Sequence, residues 1–311
     1  MLVAHKPRTY ARLQRSMAAQ EPFVTYLELR ASDAHGELGA GLSHTSSGLV
    51  LLHVLELAAT GEPRGAVTVV HEAGEHGGRY LDLARALARR GWAVALPDLR
   101  GHGRSEGERG GSAGSKEIVR DLGDVQDHLA YRQPEAPKVL IGAGLGAIWA
   151  AHYARERPGG IAALVLVAPL LAPRFQLPLQ PSGFSKLFKK IGPNAPGRIG
   201  FKSSDLASDA AELAARSADP LVHDVITLRA GEQAVETARL VQEHLSKSAV
   251  PVLVLAGARD PLVDIAAVQK LAGATVEVAI QDGLLHDLLH EARSGEVIER
   301  VLDWLDRKLP R

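Results

Sequence analysis

Between residues 66 and 170, short apolar runs alternate with helical patterns: AVTVVHE, RYLDLARALARR, AVALPDLRG, SKEIVRDLGDVQDHLA, KVLIGAG, AIWAAHYARERPG and IAALVLVAPL. A run that is apolar at nearly every position suits a strand buried on both faces, and such strands separated by helices build a mostly parallel sheet with helices on either side. The chain is therefore read as α/β. After Pro169 the pattern breaks into a Pro- and Gly-rich stretch followed by short helical patterns, and a buried strand returns only at VPVLVLAGARD, residues 250–260. A last strand, TVEVAIQDG, precedes the amphipathic SGEVIERVLDWLDRKL, whose Val297, Val301 and Leu305 share one helical side. Upstream, TYLELRA and LVLLHVLEL read as an antiparallel pair leading into the parallel sheet. The expected division is an N-terminal arm over 1–21, a core over 22–170 and 247–311, and an inserted helical cap over 171–246.

Composition excludes several functions. Lys plus Arg and Asp plus Glu each number 36 in 311 residues, and with five Phe, three Trp and five Tyr no basic, aromatic-studded face is expected for nucleic acid. There is no cysteine, which removes disulfides, thiolate catalysis and cysteine metal sites. No apolar run approaches the length of a transmembrane segment. The first twenty residues carry Lys6, Arg8, Arg12 and Arg15 without an acid or an apolar stretch, which is not a secretory signal, so a cytoplasmic location is the default. A transit peptide and a frayed amphipathic arm are the alternatives for that stretch.

The stretch PKVLIGAGLGAIWAAHY, residues 137–153, runs from an apolar strand through glycines into a helix. Two motifs share this outline: a nucleophile elbow, G-x-S-x-G, and a dinucleotide fingerprint, G-x-G-x-x-G/A, which Gly142, Gly144 and Ala147 fit more closely. A fingerprint needs an acid for the ribose at the end of the next strand, and here that strand ends in Ala168, Pro169 and Leu170. The turn also follows two strand–helix units rather than opening the first. Context favours the elbow.

Further motifs lie in order around it: VVHEAGEHGGRY (69–80), PDLRGHGRSEG (97–107), ADPLVHD (218–224), AGARDPLVD (256–264) and DGLLHDLL (282–289). Together they resemble the α/β-hydrolase superfamily, and within it the monoacylglycerol lipase and lysophospholipase group, also labelled serine aminopeptidase-like. The first is similar to the group's H-G-x-G-E-H-x-x-R-Y and the second to its D-x-R-G-H-G-x-S-x-G. The resemblance spans roughly residues 23–308. It implies an α/β-hydrolase fold, hydrolysis of acylglycerol-type esters, a small acyl-ester or lipid-like ligand, and no cofactor or metal.

Carried onto these residues, the resemblance makes His286 the general base and Asp260 the acid that orients it, in the superfamily's chain order. The backbone N–H groups of Ala73 and Leu145 form the oxyanion hole, and Gly142 and Gly146 flank the elbow. Two departures stand out. Gly144 occupies the nucleophile position, so the attacking side chain is absent. Glu72 replaces the group's Gly after the first His, and a carboxylate there opposes an oxyanion unless it points away or is protonated. Three readings follow: slow hydrolysis by a water that fills the space at Gly144 and is activated by His286, a non-catalytic protein binding an acyl ligand or a partner, or an engineered loss of serine, which would explain Gly144 but not Glu72.

The remaining candidates weigh less. A zinc motif H-E-x-x-H fails because Glu75 stands where its second histidine belongs. Asp98, Arg100 and His102 are read as turn hydrogen-bonders, Asp264 as a helix start, and His290 and Glu291 as part of the closing helix. Ser105, Ser112 and Ser115 lie in turn-rich segments with nothing placing them beside His286. In the insertion, Phe184, Leu187, Phe188 and Ile191 fall at helical spacing with Lys186, Lys189 and Lys190 off the stripe. That helix is either packed on the core or a lid in weak contact with a membrane surface.

Overall fold

The computed structural model describes residues 22–30, 49–111, 114–133, 135–174 and 194–310. Its strands are β1 (Phe23–Arg30), β2 (Leu49–Leu57), β3 (Gly65–Val70), β4 (Trp92–Pro97), β5 (Lys138–Ala143), β6 (Ala163–Val167), β7 (Pro196–Arg198), β8 (Val225–Thr227), β9 (Val252–Gly257) and β10 (Val276–Gln281). The helices are α1 (Leu81–Arg89), α2 (Ser115–Arg132), α3 (Leu145–Glu156), α4 (Ser203–Leu206), α5 (Ala210–Ala218), α6 (Leu228–His244), α7 (Ile265–Gln269) and α8 (Ser294–Lys308).

Eight strands form one sheet in the order β1-β2-β4-β3-β5-β6-β9-β10. The β1–β2 and β2–β4 pairs are antiparallel, and every later pair in that sheet is parallel. This is the arrangement expected from an alternating pair followed by fully apolar runs. The period of two assigns each strand residue a side. Leu140, Leu164, Leu166, Val252 and Val254 join the apolar layer of α2, α3 and α6, while Val139, Ile141, Val165, Leu253 and Leu255 join that of α1 and α8. Each such fully buried aliphatic side chain contributes about 1.5–3 kcal/mol relative to exposure.

In the inserted segment, β7 and β8 make a separate two-stranded antiparallel sheet, and α4 and α5 accompany them. α6 differs from expectation. Although it falls within 171–246, its Ala230, Ala234, Ala238 and Val241 lie in the same apolar cluster as Ile148 and Ala151 of α3. The small residues let α6 join the layer under the sheet. Phe184, Leu187, Phe188 and Ile191 lie outside the described residues, as do the arm 1–21 and Ser112. Among the described residues no helix is long and apolar enough to cross a membrane.

α3 meets the sheet very closely. A Cβ on Gly146 would sit 2.2 Å from the carbonyl oxygen of His71 and 2.4 Å from that of Val70, and one on Gly142 would lie 2.5 Å from the Cα of Ala147. Because these neighbours are backbone atoms, they cannot rotate away. Gly146→Ala is therefore expected to destabilise the fold by about 1–3 kcal/mol, the usual cost of overpacking, as measured by urea unfolding. An unchanged midpoint would show that the two segments separate easily.

Candidate active site

The C-terminal ends of the parallel strands, where an open α/β sheet offers its crevice, carry four segments that converge. β5 ends in the turn at Gly144, whose φ of 53° and ψ of −115° fall in a region that favours glycine. The turn is held by the Gly144 N–H, which donates to the carbonyl of Val167 at 2.9 Å. It points the backbone N–H of Leu145, first residue of α3, out of the helix end and unpaired within it. β3 ends just before His71-Glu72-Ala73-Gly74. Here the Tyr80 hydroxyl accepts from the Glu72 N–H at 3.0 Å and donates to Glu75 Oε2 at 2.9 Å. His71 closes the segment from the other side, with Nε2 accepting from the Leu99 N–H at 2.9 Å and Nδ1 donating to the Glu72 carbonyl at 2.7 Å. The loop after β9 supplies Asp260, and the loop after β10 supplies His286.

The departures noted at 72 and 144 turn out to be one feature. Glu72 extends its side chain into the space beside Gly144, and a Cβ placed on Gly144 would lie 1.2 Å from Glu72 Oε2. Oε1 of Glu72 accepts from the N–H of Ala73 at 2.5 Å and from that of Leu145 at 2.8 Å. Oε2 lies 3.2 Å from Nε2 of His286. Nδ1 of His286 lies 2.7 Å from Oδ2 of Asp260, whose Oδ1 accepts from the Leu262 N–H at 2.8 Å. All three ionisable side chains are nearly inaccessible, with Glu72, Asp260 and His286 at 7%, 3% and 2% exposure.

Charge follows from this geometry. Burial alone would lower the pKa of His286, but Asp260 on one ring nitrogen and Glu72 on the other outweigh it and push the value up to about 10. The ring is then an imidazolium at neutral pH, donating from both nitrogens. Burial lifts the Glu72 carboxyl above the ordinary carboxylate range, while His286 and the two backbone donors act against that rise. Asp260, His286 and Glu72 thus form one buried hydrogen-bonded chain.

Two expectations are corrected by this arrangement. A water cannot take the place of a Gly144 side chain, because the Glu72 carboxyl group fills that position. His286 is also not a free base near neutral pH, since the proton it would need to accept is already held between two carboxylates. Of the two ways in which Glu72 could be harmless, turning away or being protonated, the first is ruled out: the side chain points in. The N–H groups of Ala73 and Leu145 share one acceptor, Oε1 of the protein's own Glu72.

The lesser candidates also find their places. Asp98 accepts from the N–H groups of Gly77 and Arg104 at 2.8 and 2.9 Å, and His102 Nδ1 lies 3.0 Å from the Arg100 carbonyl within the turn, while Arg100 forks onto Asp121 of α2 at 3.0 and 2.8 Å and ties the turn to that helix. Asp264 caps α7 through the Ala266 and Ala267 N–H groups. The Ser105 hydroxyl donates to the Asp98 carbonyl at 2.6 Å, and Ser115 begins α2, so neither meets His286. His290 and Glu291 do not belong to the closing helix: α8 starts at Ser294, and both side chains are buried before it. His290 Nδ1 pairs with Asp287 at 2.6 Å and its Nε2 donates to the Arg79 carbonyl at 2.8 Å, while Glu291 accepts from the Ser208 hydroxyl at 2.8 Å. No group of three or more His, Asp or Glu suited to a metal ion occurs among the described residues.

The sequence reading missed an ionic network linking this loop to the inserted segment. Arg216 of α5 donates to Glu75 Oε1 at 3.0 Å, Asp219 pairs with His76 at 2.8 Å, and the His223 N–H donates to the Gly74 carbonyl at 2.8 Å. These pairs bridge about 140 residues of sequence, so no local pattern could announce them.

The geometry has relatives. Monoacylglycerol lipase of Mycolicibacterium smegmatis is 28% identical over 250 residues, covering 78% of this chain and 89% of that one. Human monoglyceride lipase is 35% identical over 211 residues, covering 66% and 68%. The crystal structure of a monoacylglycerol lipase from Paleococcus ferrophilus superimposes with a TM-score of 0.73 at 25% identity, covering 83% of this chain and 99% of that one. The match to the Hydrolase_4 family (serine aminopeptidase, S33) runs over residues 61–293, from before β3 to just before α8. It thus takes in Glu72, Gly144, Asp260 and His286, and the chain belongs to that family as a monoglyceride-lipase-like α/β-hydrolase.

Proposed function

We propose that this chain is an acylglycerol-type ester hydrolase in which the serine route is closed, so that turnover of carboxylic esters is reduced to near the uncatalysed rate. One observation carries the reading: the Glu72 carboxylate occupies both the nucleophile position left by Gly144 and the two backbone donors that an ester oxygen would need. The relatives named as monoacylglycerol or monoglyceride lipases supply the substrate class, a small acylglycerol-like ester. Proposed roles are Gly144 as the emptied nucleophile position, His286 as the proton carrier, Asp260 as the group that orients it, and Ala73 and Leu145 as oxyanion donors now engaged by Glu72. Loss of the nucleophile from a serine triad costs on the order of a million-fold in kcat. A donor pair blocked by an anion removes much of the residual rate that binding and oxyanion stabilisation would leave.

Two measurements on the unmodified chain test this. Incubation with a fluorophosphonate probe should give no covalent adduct by mass spectrometry, and a short-chain monoacylglycerol should be hydrolysed no faster than in buffer. Stoichiometric labelling of a serine, or ester turnover lost in His286→Ala, would show that the route is open.

A further inference from the structure

A closed serine route leaves an arrangement of reactive groups unused, and resting on that reading we propose that Glu72 is a nucleophile toward saturated carbon, opening small aliphatic epoxides to diols through an ester formed on its own carboxylate. Geometry selects the electrophile. An acyl substrate needs the N–H groups of Ala73 and Leu145 for its own oxygen, and Oε1 of Glu72 holds them at 2.5 and 2.8 Å. Substitution at a tetrahedral carbon builds no oxyanion on that carbon, so Oε1 can stay where it is. Oε2 stands at the tip of the elbow, 1.2 Å from where a Gly144 Cβ would lie. It keeps a lone pair beyond the one that faces His286.

The steps balance without an outside acid or base. A lone pair of Oε2 bonds to an epoxide carbon, the ring C–O bond breaks, and the released oxygen takes the Nε2 proton of His286. Glu72 becomes a neutral hydroxyalkyl ester, and His286 becomes a neutral imidazole still held by Asp260 at Nδ1. With the charge of Glu72 gone, one of the two anions that kept His286 protonated is absent, and the ring can now accept a proton. It takes one from a water whose oxygen attacks Cδ of Glu72, and negative charge develops on Oε1 between the two N–H donors. Collapse breaks the bond from Cδ to the alkyl oxygen. That oxygen leaves with the proton of His286, and the new Glu72 carboxyl returns its own proton to the ring. The sum is epoxide plus water giving a diol.

Space limits the substrate. The cavity bordered by Glu72, Gly144, Ala168, Leu206 and His286 measures about 10 Å³, close to the least that holds one water. It suits the attacking water of the second step. Leu206 of α4 covers the same side, so an epoxide must displace that side chain, which favours a few-carbon substrate.

The experiment is a single turnover of 1,2-epoxybutane with enzyme in excess in ¹⁸O-water, followed by mass analysis of the peptide containing Glu72 and of the diol. The expected result is one ¹⁸O in the Glu72 carboxylate and none in the diol of that turnover, with at least about 100-fold slower diol formation by Glu72→Gln. Diol formation no faster than in buffer, or label in the diol with none in Glu72, overturns the proposal. If Glu72→Gln fails to fold, the isotope pattern of the unmodified chain decides alone. Failure here leaves the closed serine route standing, since restored ester hydrolysis in a serine-bearing variant reads that separately.

Discussion

The double variant Glu72→Gly, Gly144→Ser is expected to hydrolyse a short-chain monoacylglycerol at least about a thousand-fold faster than the unmodified chain, while each single variant stays near background. A restored triad stands to regain part of the roughly million-fold that its loss costs. The singles fail for different reasons. In Gly144→Ser the new Cβ meets Glu72 Oε2 at 1.2 Å, so either the serine or the carboxylate must leave its place, and the backbone donors stay contested. In Glu72→Gly the donors of Ala73 and Leu145 are freed and His286 loses one of the charges that raise it, but nothing attacks. Only together do the changes supply a nucleophile, a free base and an open oxyanion site. The gain is thus strongly non-additive, as befits residues in direct contact. A Gly144→Ser single variant as active as the double would show that Glu72 yields the site readily.

Stability is expected to fall as pH rises from about 6.5 to 10. His286 has a native pKa of about 10 against an ordinary value of 6.5, and His290, which burial would lower but Asp287 raises, reaches about 9. In both cases the native state holds a proton that the unfolded chain has released. The stabilisation is therefore complete below the unfolded value and disappears as pH passes through the native one. Each pH unit over which one such proton is held only by the native state is worth about 1.4 kcal/mol. For His286 the loss is a substantial share of the roughly 5–15 kcal/mol of a typical domain. Urea unfolding at pH 6.5, 8, 9 and 10 should show this decline, and His290→Gln should reduce its slope between 6.5 and 9. A flat profile would mean that the two histidines are neutral in the folded chain.

Period and punctuation carried the fold. The runs at 65–70, 92–97, 138–143, 163–167 and 252–257 are apolar on both sides because helices cover both faces, and that pattern is visible in one dimension. α6 was misassigned because its alanines, which let it lie against α3, look the same in sequence as those of a cap helix. At the site, the chain order of Gly144, Asp260 and His286 could be read directly. The direction of the Glu72 side chain could not, although a signal existed. Ala73 and Leu145 were expected to donate into one hole, so the side chain preceding Ala73 and the missing one preceding Leu145 had to face each other. Two departures at facing positions are better explained together than as separate losses. The ties from Glu75, His76 and Gly74 to residues 216–223 depend on how the inserted segment folds back, which no local pattern specifies.

The measurement that bears most directly on the matched pair of Glu72 and Gly144 is the ¹⁵N NMR spectrum of the His286 ring at pH 7, in the unmodified chain and in Glu72→Gln. If the carboxylate lies against Nε2 as described, both ring nitrogens carry protons and show imidazolium shifts up to about pH 9, and Glu72→Gln brings the titration down toward neutrality. A neutral ring with an unprotonated Nε2 at pH 7, unaffected by Glu72→Gln, would mean that Glu72 does not occupy the site.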